Sequence, residues 1–125
     1  MLKNFHDLRV WQEAKDFTVQ VYKITKSFPK EELFGLSDQM RRAANSICAN
    51  IAEGFSRYHT KDKVKFYYNA RGSVSESMSH VLVAKELKYL SPEVAAGINE
   101  RLESIKQMLN AMINSVCNCA KKFSK

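Results

Sequence analysis

The segment "RRAANSICANIAEGFSR" runs from Arg41 to Arg57. Its apolar residues recur every three or four positions, which places them on one face of an α-helix. The same spacing continues outward in both directions, so the sequence predicts a helix over about residues 35–58. The apolar stripe of this helix comprises Leu36, Met40, Ala43, Ile47, Ile51, Phe55 and Tyr58.

Further helical stripes lie on both sides of this stretch. They run from Val10 to Phe28, from Phe66 to Leu87 and from Val94 to Val116. Pro29 ends the first stripe, because the residue before a proline avoids the α region. Ser91, Pro92 and Glu93 start the last one with a capping hydroxyl, a proline suited to the first turn and an acid near the positive end of the helix dipole.

These patterns together predict the fold class. The predicted helices cover about residues 8–28, 35–58, 61–90 and 92–120. No alternating strand pattern competes with them, and the connections between them are short. We therefore expect an all-α protein, an antiparallel up-down four-helix bundle with residues 1–125 as one domain.

Two glycines, Gly54 and Gly72, lie inside predicted helices, where each costs about 1 kcal/mol relative to alanine. They suggest two places of close backbone approach, in similar layers of the bundle. Polar residues beside them share helix faces. The predicted polar layer, within or beside the core, comprises Asn50, Glu53, Gly54, Gly72, Ser73 and Glu76. Because buried charges are normally paired, Arg41, Arg42 and Arg57 are the candidate partners of the two glutamates, in the same chain or in a neighbouring subunit.

The sequence offers little for catalysis or metal binding. Glu53 and Glu76 are the only candidates for an acid–base or metal pair, but di-iron bundles need Glu-x-x-His on two helices, and that pattern is missing here. Cys117 and Cys119 form a Cys-x-Cys pair without the further ligands that zinc needs, and Cys48 is expected to be a small buried residue. No phosphate-binding loop or nucleophile motif occurs. We expect no enzymatic activity, no metal and no cofactor.

The charge balance favours an acidic partner. Among 125 residues, 20 Lys and Arg stand against 13 Asp and Glu, a formal net charge of +7. Nucleic acid is the first candidate, an anionic membrane surface the second, and solubility alone the plain alternative. The strongest basic patch comprises Arg57, Lys61, Lys63, Lys65 and Arg71. Aromatic residues lie between them, so the patch predicts either phosphate contacts with base stacking or simply a solvated helix start beside core aromatics.

Targeting signals are not apparent in this sequence. The N-terminal residues "MLKNFHDLRVW" have no apolar segment of the kind that a signal peptide contains. No run approaches about 18 consecutive apolar residues, the minimum for a membrane-spanning helix. We expect a soluble, cytoplasmic protein of bacterial type.

Several segments carry a resemblance to a known family. In chain order they are "FHDLRVWQEA", "VYKITKSFP", "GLSDQMRRAANSICANIAEGFSR", "ARGSVSES" and "LKYL". With these segments the chain resembles the four-helix-bundle family of 23S ribosomal RNA intervening-sequence proteins, small basic proteins without enzymatic activity. It is also similar to the accessory subunits of diversity-generating retroelements. Those subunits form five-membered rings and bind a reverse transcriptase and nucleic acid.

The resemblance adds expectations about assembly and partners. It implies a homopentameric ring in which a helix can face its own core and a neighbouring subunit. Trp11 is then equally well interpreted as a core anchor or as a subunit contact, and Arg41 and Arg42 as bridges between subunits or contacts to phosphate. The function we expect is a basic oligomeric scaffold that binds RNA or DNA mainly by charge and shape. The alternative is a protein-interaction accessory subunit, for example of a retroelement reverse transcriptase.

Overall fold

The computed structural model of the protein describes residues 3–123, and the side chains of residues 3–121. Its four helices are α1 (Arg9–Thr25), α2 (Leu36–Ser56), α3 (Thr60–Glu86) and α4 (Pro92–Phe123). Short 3-10 turns at Phe5–Asp7 and Lys30–Glu32 precede α1 and α2. The described residues contain no strand, so the predicted all-α class is confirmed. Within this part of the chain, none of the helices is long and apolar enough to cross a membrane.

The four helices pack in chain order around one core. Each of α1 and α3 contacts both α2 and α4. The core is dominated by residues of the predicted stripes, among them Phe17, Ile47, Val74 and Leu102, all of which are essentially inaccessible to solvent. Tyr67 is the largest fully buried side chain and fills the space between α3 and α2.

Two of the predicted helix ends differ from the structure. α1 ends at Thr25 rather than near residue 28, although Phe28 is still buried against the core. α3 ends at Glu86 rather than near residue 90, because Lys88 adopts a left-handed conformation with φ of 65°. The amide of Tyr89 then donates to the carbonyl of Ala84, and that of Lys88 to Lys85, which is a Schellman cap.

Three residues expected on inner faces are exposed, and two of these errors follow from the helix ends. Tyr58 lies beyond the end of α2 and is 90% exposed, and Leu87 lies beyond the end of α3 and is half exposed. Val94 is also exposed, because the inward face of α4 begins at Ala95. The apolar period therefore predicts the middle of each helix correctly and fails at the ends.

The start of α4 follows the sequence signals closely. Pro92 is its first residue, and the hydroxyl of Ser91 accepts a hydrogen bond of 3.1 Å from the amide of Val94. α4 extends to Phe123, three residues beyond the predicted end. Of the last two residues, Ser124 and Lys125, the second belongs to the basic tail and both lie outside the described residues.

Candidate nucleic-acid interface

The connection between α2 and α3 is short and is closed by a lysine side chain. Nζ of Lys63 donates to the last carbonyl groups of α2, at 2.7 Å from the oxygen of Phe55 and 3.3 Å from that of Gly54. The carbonyl of Gly54 also accepts the capping amide of Arg57 at 3.3 Å, and the ammonium adds a donor to both carbonyls at the negative end of the helix dipole. Burial lowers the pKa of Lys63 below its usual value. Of the three predicted lysines, Lys63 is the one that is turned into the fold.

Arg57 follows directly after α2 and is held in a fixed orientation. Its guanidinium lies over the ring of Phe66, 4.8 Å from the ring centre, and Nη2 donates to Oε1 of Glu53 at 3.3 Å. Stacking on a ring together with a carboxylate contact orients the guanidinium plane. The residue is still exposed, so part of the group remains available to a ligand.

Lys61 and Lys65 lie on the outer face of α3, one turn apart. Both are exposed, and Tyr68 and Gly72 continue the same face at helical spacing. Nζ of Lys65 is 5.9 Å from the centre of the Phe66 ring, a loose contact that leaves the ammonium in solvent. These two lysines are the basic groups of the predicted set that contribute least to the fold.

Arg71 lies on the opposite flank of α3 and connects it to α4. Nη1 donates to Oδ1 of Asn110 at 2.8 Å, and the guanidinium stacks on the ring of Tyr68 at 4.6 Å. Arg71 is half-buried, whereas Tyr68 remains 46% exposed. The structure thus separates Arg57 and Arg71 on two sides of the exposed lysine pair.

The aromatic residues between these cations divide into two groups. Tyr67 is buried, which raises the pKa of its hydroxyl to about 12, and Phe66 is half-buried. Tyr58 projects from the corner with 90% of its surface exposed, and its ring meets that of His59 edge-on, at 5.1 Å between centres. We use the name corner patch for Arg57, Tyr58, Lys61, Lys65, Tyr68 and Arg71.

The predicted polar layer does not form as one layer. Glu53 is exposed and pairs with Arg57, one turn later on the same side of α2. Glu76 is also exposed and pairs with His80 at 3.3 Å. The predicted pairing of Glu53 with Arg57 is therefore confirmed, whereas Glu76 pairs with a histidine that was not among its predicted partners. Both glutamates lie at the surface and not within the core.

A smaller polar cluster lies between α2 and α3. Nδ2 of Asn50 donates to the carbonyl of Ser46 at 2.8 Å and lies 3.0 Å from its hydroxyl. The hydroxyl of Ser73 then donates to that of Ser46 at 2.9 Å. Asn50 and Ser73 therefore belong together as predicted, through Ser46, which the sequence argument missed. Its position four residues before Asn50 was the available signal.

The two glycines have different environments. A Cβ atom added to Gly54 would lie 2.6 Å from Cε1 of Tyr67 and 3.1 Å from Cβ of Phe66, so the predicted close approach exists there. A Cβ atom on Gly72 would meet no atom within 4 Å. The predicted close approach at Gly72 is wrong for the single chain, and the two glycines do not share a layer.

The arginine pair near the start of α2 has local partners. Nε of Arg41 donates to the hydroxyl of Thr25 at 2.9 Å, and its guanidinium lies over the ring of Tyr22 at 5.0 Å. Arg42 pairs with Asp38 at 2.9 Å. Neither arginine reaches the two glutamates within the chain.

Trp11 packs at the edge of the core. It is half-buried, and its ring meets that of Phe5 edge-on, at 5.2 Å between centres. A partly exposed ring is compatible with both interpretations of Trp11, as a core anchor and as a subunit contact.

The three cysteines are all free thiols. Cys48 is half-buried beside Thr18, with 3.4 Å between sulfur and hydroxyl oxygen, and burial raises the pKa of its thiol. Cys117 is half-buried and Cys119 is exposed. Among the described residues, no group of three or more His, Cys, Asp or Glu side chains is arranged to hold a metal ion.

Comparison with protein families gives a match over residues 6–111 to the model described as 23S rRNA-intervening sequence protein. The chain belongs to the 23S rRNA-intervening sequence protein family. The match includes the whole of the corner patch and all of α1, α2 and α3. Comparison with curated proteins finds no match.

A solved structure supports the fold of this family member. It is the crystal structure of a protein of unknown function from the S23 ribosomal protein family of Bacteroides thetaiotaomicron. The two chains align with a TM-score of 0.77 and 22% identity, over 84% of this chain and 95% of the other. At that identity the similarity establishes the four-helix-bundle fold.

One exposed segment of this family member was not among the predicted sites. Leu33 and Phe34 lie in the connection between α1 and α2, and Phe34 is 90% exposed. Glu31 and Glu32 precede them, so the segment combines acidic and apolar side chains. It lies at the end of the bundle opposite to the corner patch, since α2 begins at one and ends at the other.

Proposed function

We propose that the protein is a non-enzymatic, oligomeric scaffold in the cytoplasm that binds RNA or DNA mainly by charge and shape. The observation that carries this proposal is the corner patch, in which exposed cations lie beside exposed aromatic rings. Lysine and arginine neutralise phosphates and release counterions, and this contributes most of the non-specific affinity for nucleic acid. Membership of a family named for 23S rRNA agrees with such a partner.

The charge distribution supports this location. Residues 57–65 contain four cations and a single anion, Asp62, whereas residues 29–35 at the opposite end contain Lys30 against Glu31 and Glu32. A polyanion approaching the bundle is therefore attracted to the corner between α2 and α3 more than to the corner between α1 and α2.

We further propose that the scaffold is a homopentameric ring, as the resemblance to retroelement accessory subunits implies. Exposed apolar side chains on the outside of the bundle, among them Val19, Leu82 and Val83, offer surface that subunit contacts can bury. Light scattering of the purified protein at micromolar concentration is expected to give the mass of about five chains, a closed cyclic assembly. A monomer would contradict the ring.

Fluorescence anisotropy with labelled RNA and DNA at several salt concentrations tests the nucleic-acid proposal. Wild-type protein should bind with an affinity that falls steeply with salt, with a slope of roughly −0.7 per phosphate neutralised on a single strand. Lys61→Gln with Lys65→Gln should flatten this slope and weaken binding to unrelated sequences about equally, because phosphate contacts carry no sequence information.

A matched control is available at the end of α1. Lys23 and Lys26 are also exposed, but they lie at the opposite end of the bundle from the corner patch. Lys23→Gln with Lys26→Gln removes the same net charge and should leave the slope closer to that of wild type. Equal effects of the two double variants would refute the location, and a wild-type protein that binds nothing at low salt would refute the function.

The alternative function, an accessory subunit that holds a reverse transcriptase, is favoured by the exposed Leu33 and Phe34 segment. An acidic and apolar loop is better suited to a protein surface than to phosphate. Co-purification with a reverse transcriptase encoded beside this gene, lost in the Phe34→Ala variant, would support this alternative.

A further inference from the structure

We infer that the corner patch binds unpaired nucleotides, with Tyr58 and Tyr68 as stacking surfaces for bases and with Lys61 and Lys65 as contacts to the phosphates between them. This inference rests on the proposed nucleic-acid binding and narrows it to single-stranded segments. The argument comes from the exposed rings, which phosphate binding alone does not require.

Tyr58 contributes little to the packing of the described residues. It lies between the end of α2 and the start of α3, is 90% exposed, and contacts the ring of His59 only by an edge-on arrangement. Exposing a large aromatic side chain gives up the burial that would stabilise the fold, by about 1.5–3 kcal/mol for an apolar side chain of that size. Both faces of a ring so exposed are open to a flat ligand.

The ring of Tyr68, unlike that of Tyr58, is oriented by an arginine that is itself bonded to α4. Arg71 stacks on this ring at 4.6 Å, and Asn110 holds the guanidinium through a hydrogen bond of 2.8 Å. The tyrosine ring therefore has one partner fixed by α4 while 46% of the side chain stays exposed. A guanidinium on a ring also adds positive charge beside any base that stacks there.

The spacing of these groups suits a strand that runs along α3. Lys61, Lys65 and Tyr68 follow one another at intervals of four and three residues on one exposed face. At 1.5 Å per residue the rise from Lys61 to Tyr68 is about 10 Å, and Tyr58 lies beyond Lys61 at the end of the helix. The two lysines therefore lie between the two rings, as phosphates lie between successive bases.

A duplex would not use these rings. Paired bases are stacked on one another, and a side chain reaches their faces only after paying for unstacking. The deep, narrow major groove of double-stranded RNA is also closed to side chains. Base–aromatic stacking on exposed rings is instead the mode of proteins that bind single strands without sequence preference.

The test compares three labelled probes of equal length, about 16 nucleotides each, at several salt concentrations. They are oligothymidylate, the same backbone with abasic sites, and a duplex. Tyr58→Ala and Tyr68→Ala should each weaken binding of oligothymidylate by about tenfold, within the range of roughly fivefold to a hundredfold that stacking contributes per base. Binding of the abasic strand and the duplex should change less than twofold, and the salt slope should stay the same.

Two controls separate stacking from other effects. Tyr58→Phe keeps the ring and should bind like wild type. Phe34→Ala removes a ring with the same 90% exposure at the opposite end of the bundle, beside Glu31 and Glu32, and should have no effect. Light scattering of each variant follows the oligomer mass.

The outcomes distinguish this inference from the proposed function. Salt-dependent binding that is equally tight for the abasic strand, or insensitive to both tyrosine variants, would refute the stacking inference and leave the charge-based function standing. A change of oligomer mass in Tyr58→Ala with unchanged binding would also refute it and assign the ring to a subunit contact. No binding of any probe at low salt would refute both.

Discussion

Gly54 and Gly72 lie in the same helical hairpin but face opposite environments. Gly54 is on the inner side of α2, where a Cβ atom would lie 2.6 Å from the ring of Tyr67. Gly72 is on the outer side of α3, where a Cβ atom would meet nothing within 4 Å. The inner side of the hairpin is therefore fixed by packing. Its outer side, which also carries Tyr68, Lys65 and Lys61, is exposed to solvent in the single chain.

From this comparison we expect the largest loss of stability when Gly54 is substituted. Gly54→Leu should destabilise the protein by about 3 kcal/mol or more, because overpacking forces the buried Tyr67 ring and the α2 backbone apart. Gly54→Ala should cost less, since relief of the glycine helix penalty of about 1 kcal/mol offsets part of the clash. Urea unfolding followed by circular dichroism measures both variants, and an unchanged midpoint for Gly54→Leu would show that the contact is not needed.

Because Tyr67, which packs against Gly54, is buried, we expect the protein to lose stability at high pH. Burial raises the pKa of its hydroxyl from 10.0 to about 12. As pH rises above 10, the unfolded chain releases this proton first, so the contribution of Tyr67 is complete below pH 10 and is lost towards pH 12. About two pKa units correspond to roughly 2–3 kcal/mol.

The Tyr67→Phe variant isolates this contribution. Unfolding free energies of wild type and variant are measured between pH 9 and about 12. The wild-type value should fall more steeply over this range, although other groups, including Tyr89 with its pKa raised by the hydrogen bond to Glu32, contribute to both. Parallel curves would mean that the Tyr67 hydroxyl is accessible to solvent in the folded protein.

Lys63 lies on the inner side of the helical hairpin, although the sequence analysis grouped it with the exposed lysines. Lys63→Ala should destabilise the protein by about 1–2 kcal/mol, because it leaves the final carbonyls of α2 without their ammonium donor. Lys61→Ala is the matched control, with an expected change within about 0.5 kcal/mol. Equal changes of melting temperature in the two variants would show that Lys63, like Lys61, does not stabilise the fold.

Much of the fold could be predicted because burial imposes a period on the sequence. The middle of each helix is amphipathic, so Ile47, Val74 and Leu102 were assigned to the core without any knowledge of their neighbours. Helix ends lack this constraint. Tyr58 continued the stripe of α2 by spacing alone, but the helix stops at Ser56, and nothing in the apolar pattern marks that position.

The candidate site was harder to predict, since its residues depend on contacts between helices. A glycine in a helix signals a close approach only if a neighbour is there, and the sequence did not distinguish Gly54 from Gly72. The spacing of four residues correctly named Arg57 as a partner of Glu53, but it did not show that this pair lies at the surface and not within the core. Lys63 differs from Lys61 because its ammonium group reaches the last carbonyls of α2, and this contact between two helices was not predicted from the sequence.

The smallest expected effect, and the one that sharpens the comparison most, is at Gly72. In the single chain Gly72→Ala should stabilise the protein by about 0.5–1 kcal/mol, because alanine is the better helix former and the added methyl group meets no atom. Gly54→Ala is expected to change stability in the opposite direction, so the two substitutions form a matched test on adjacent helices.

The melting temperature and the mass from light scattering are measured together across a range of protein concentrations. If Gly72→Ala instead lowers the melting temperature or shifts the mass towards the monomer, another chain packs against the outer face of α3. Loss of stability that grows with protein concentration would identify that chain as a second copy, because only the assembled form would then meet the new methyl group.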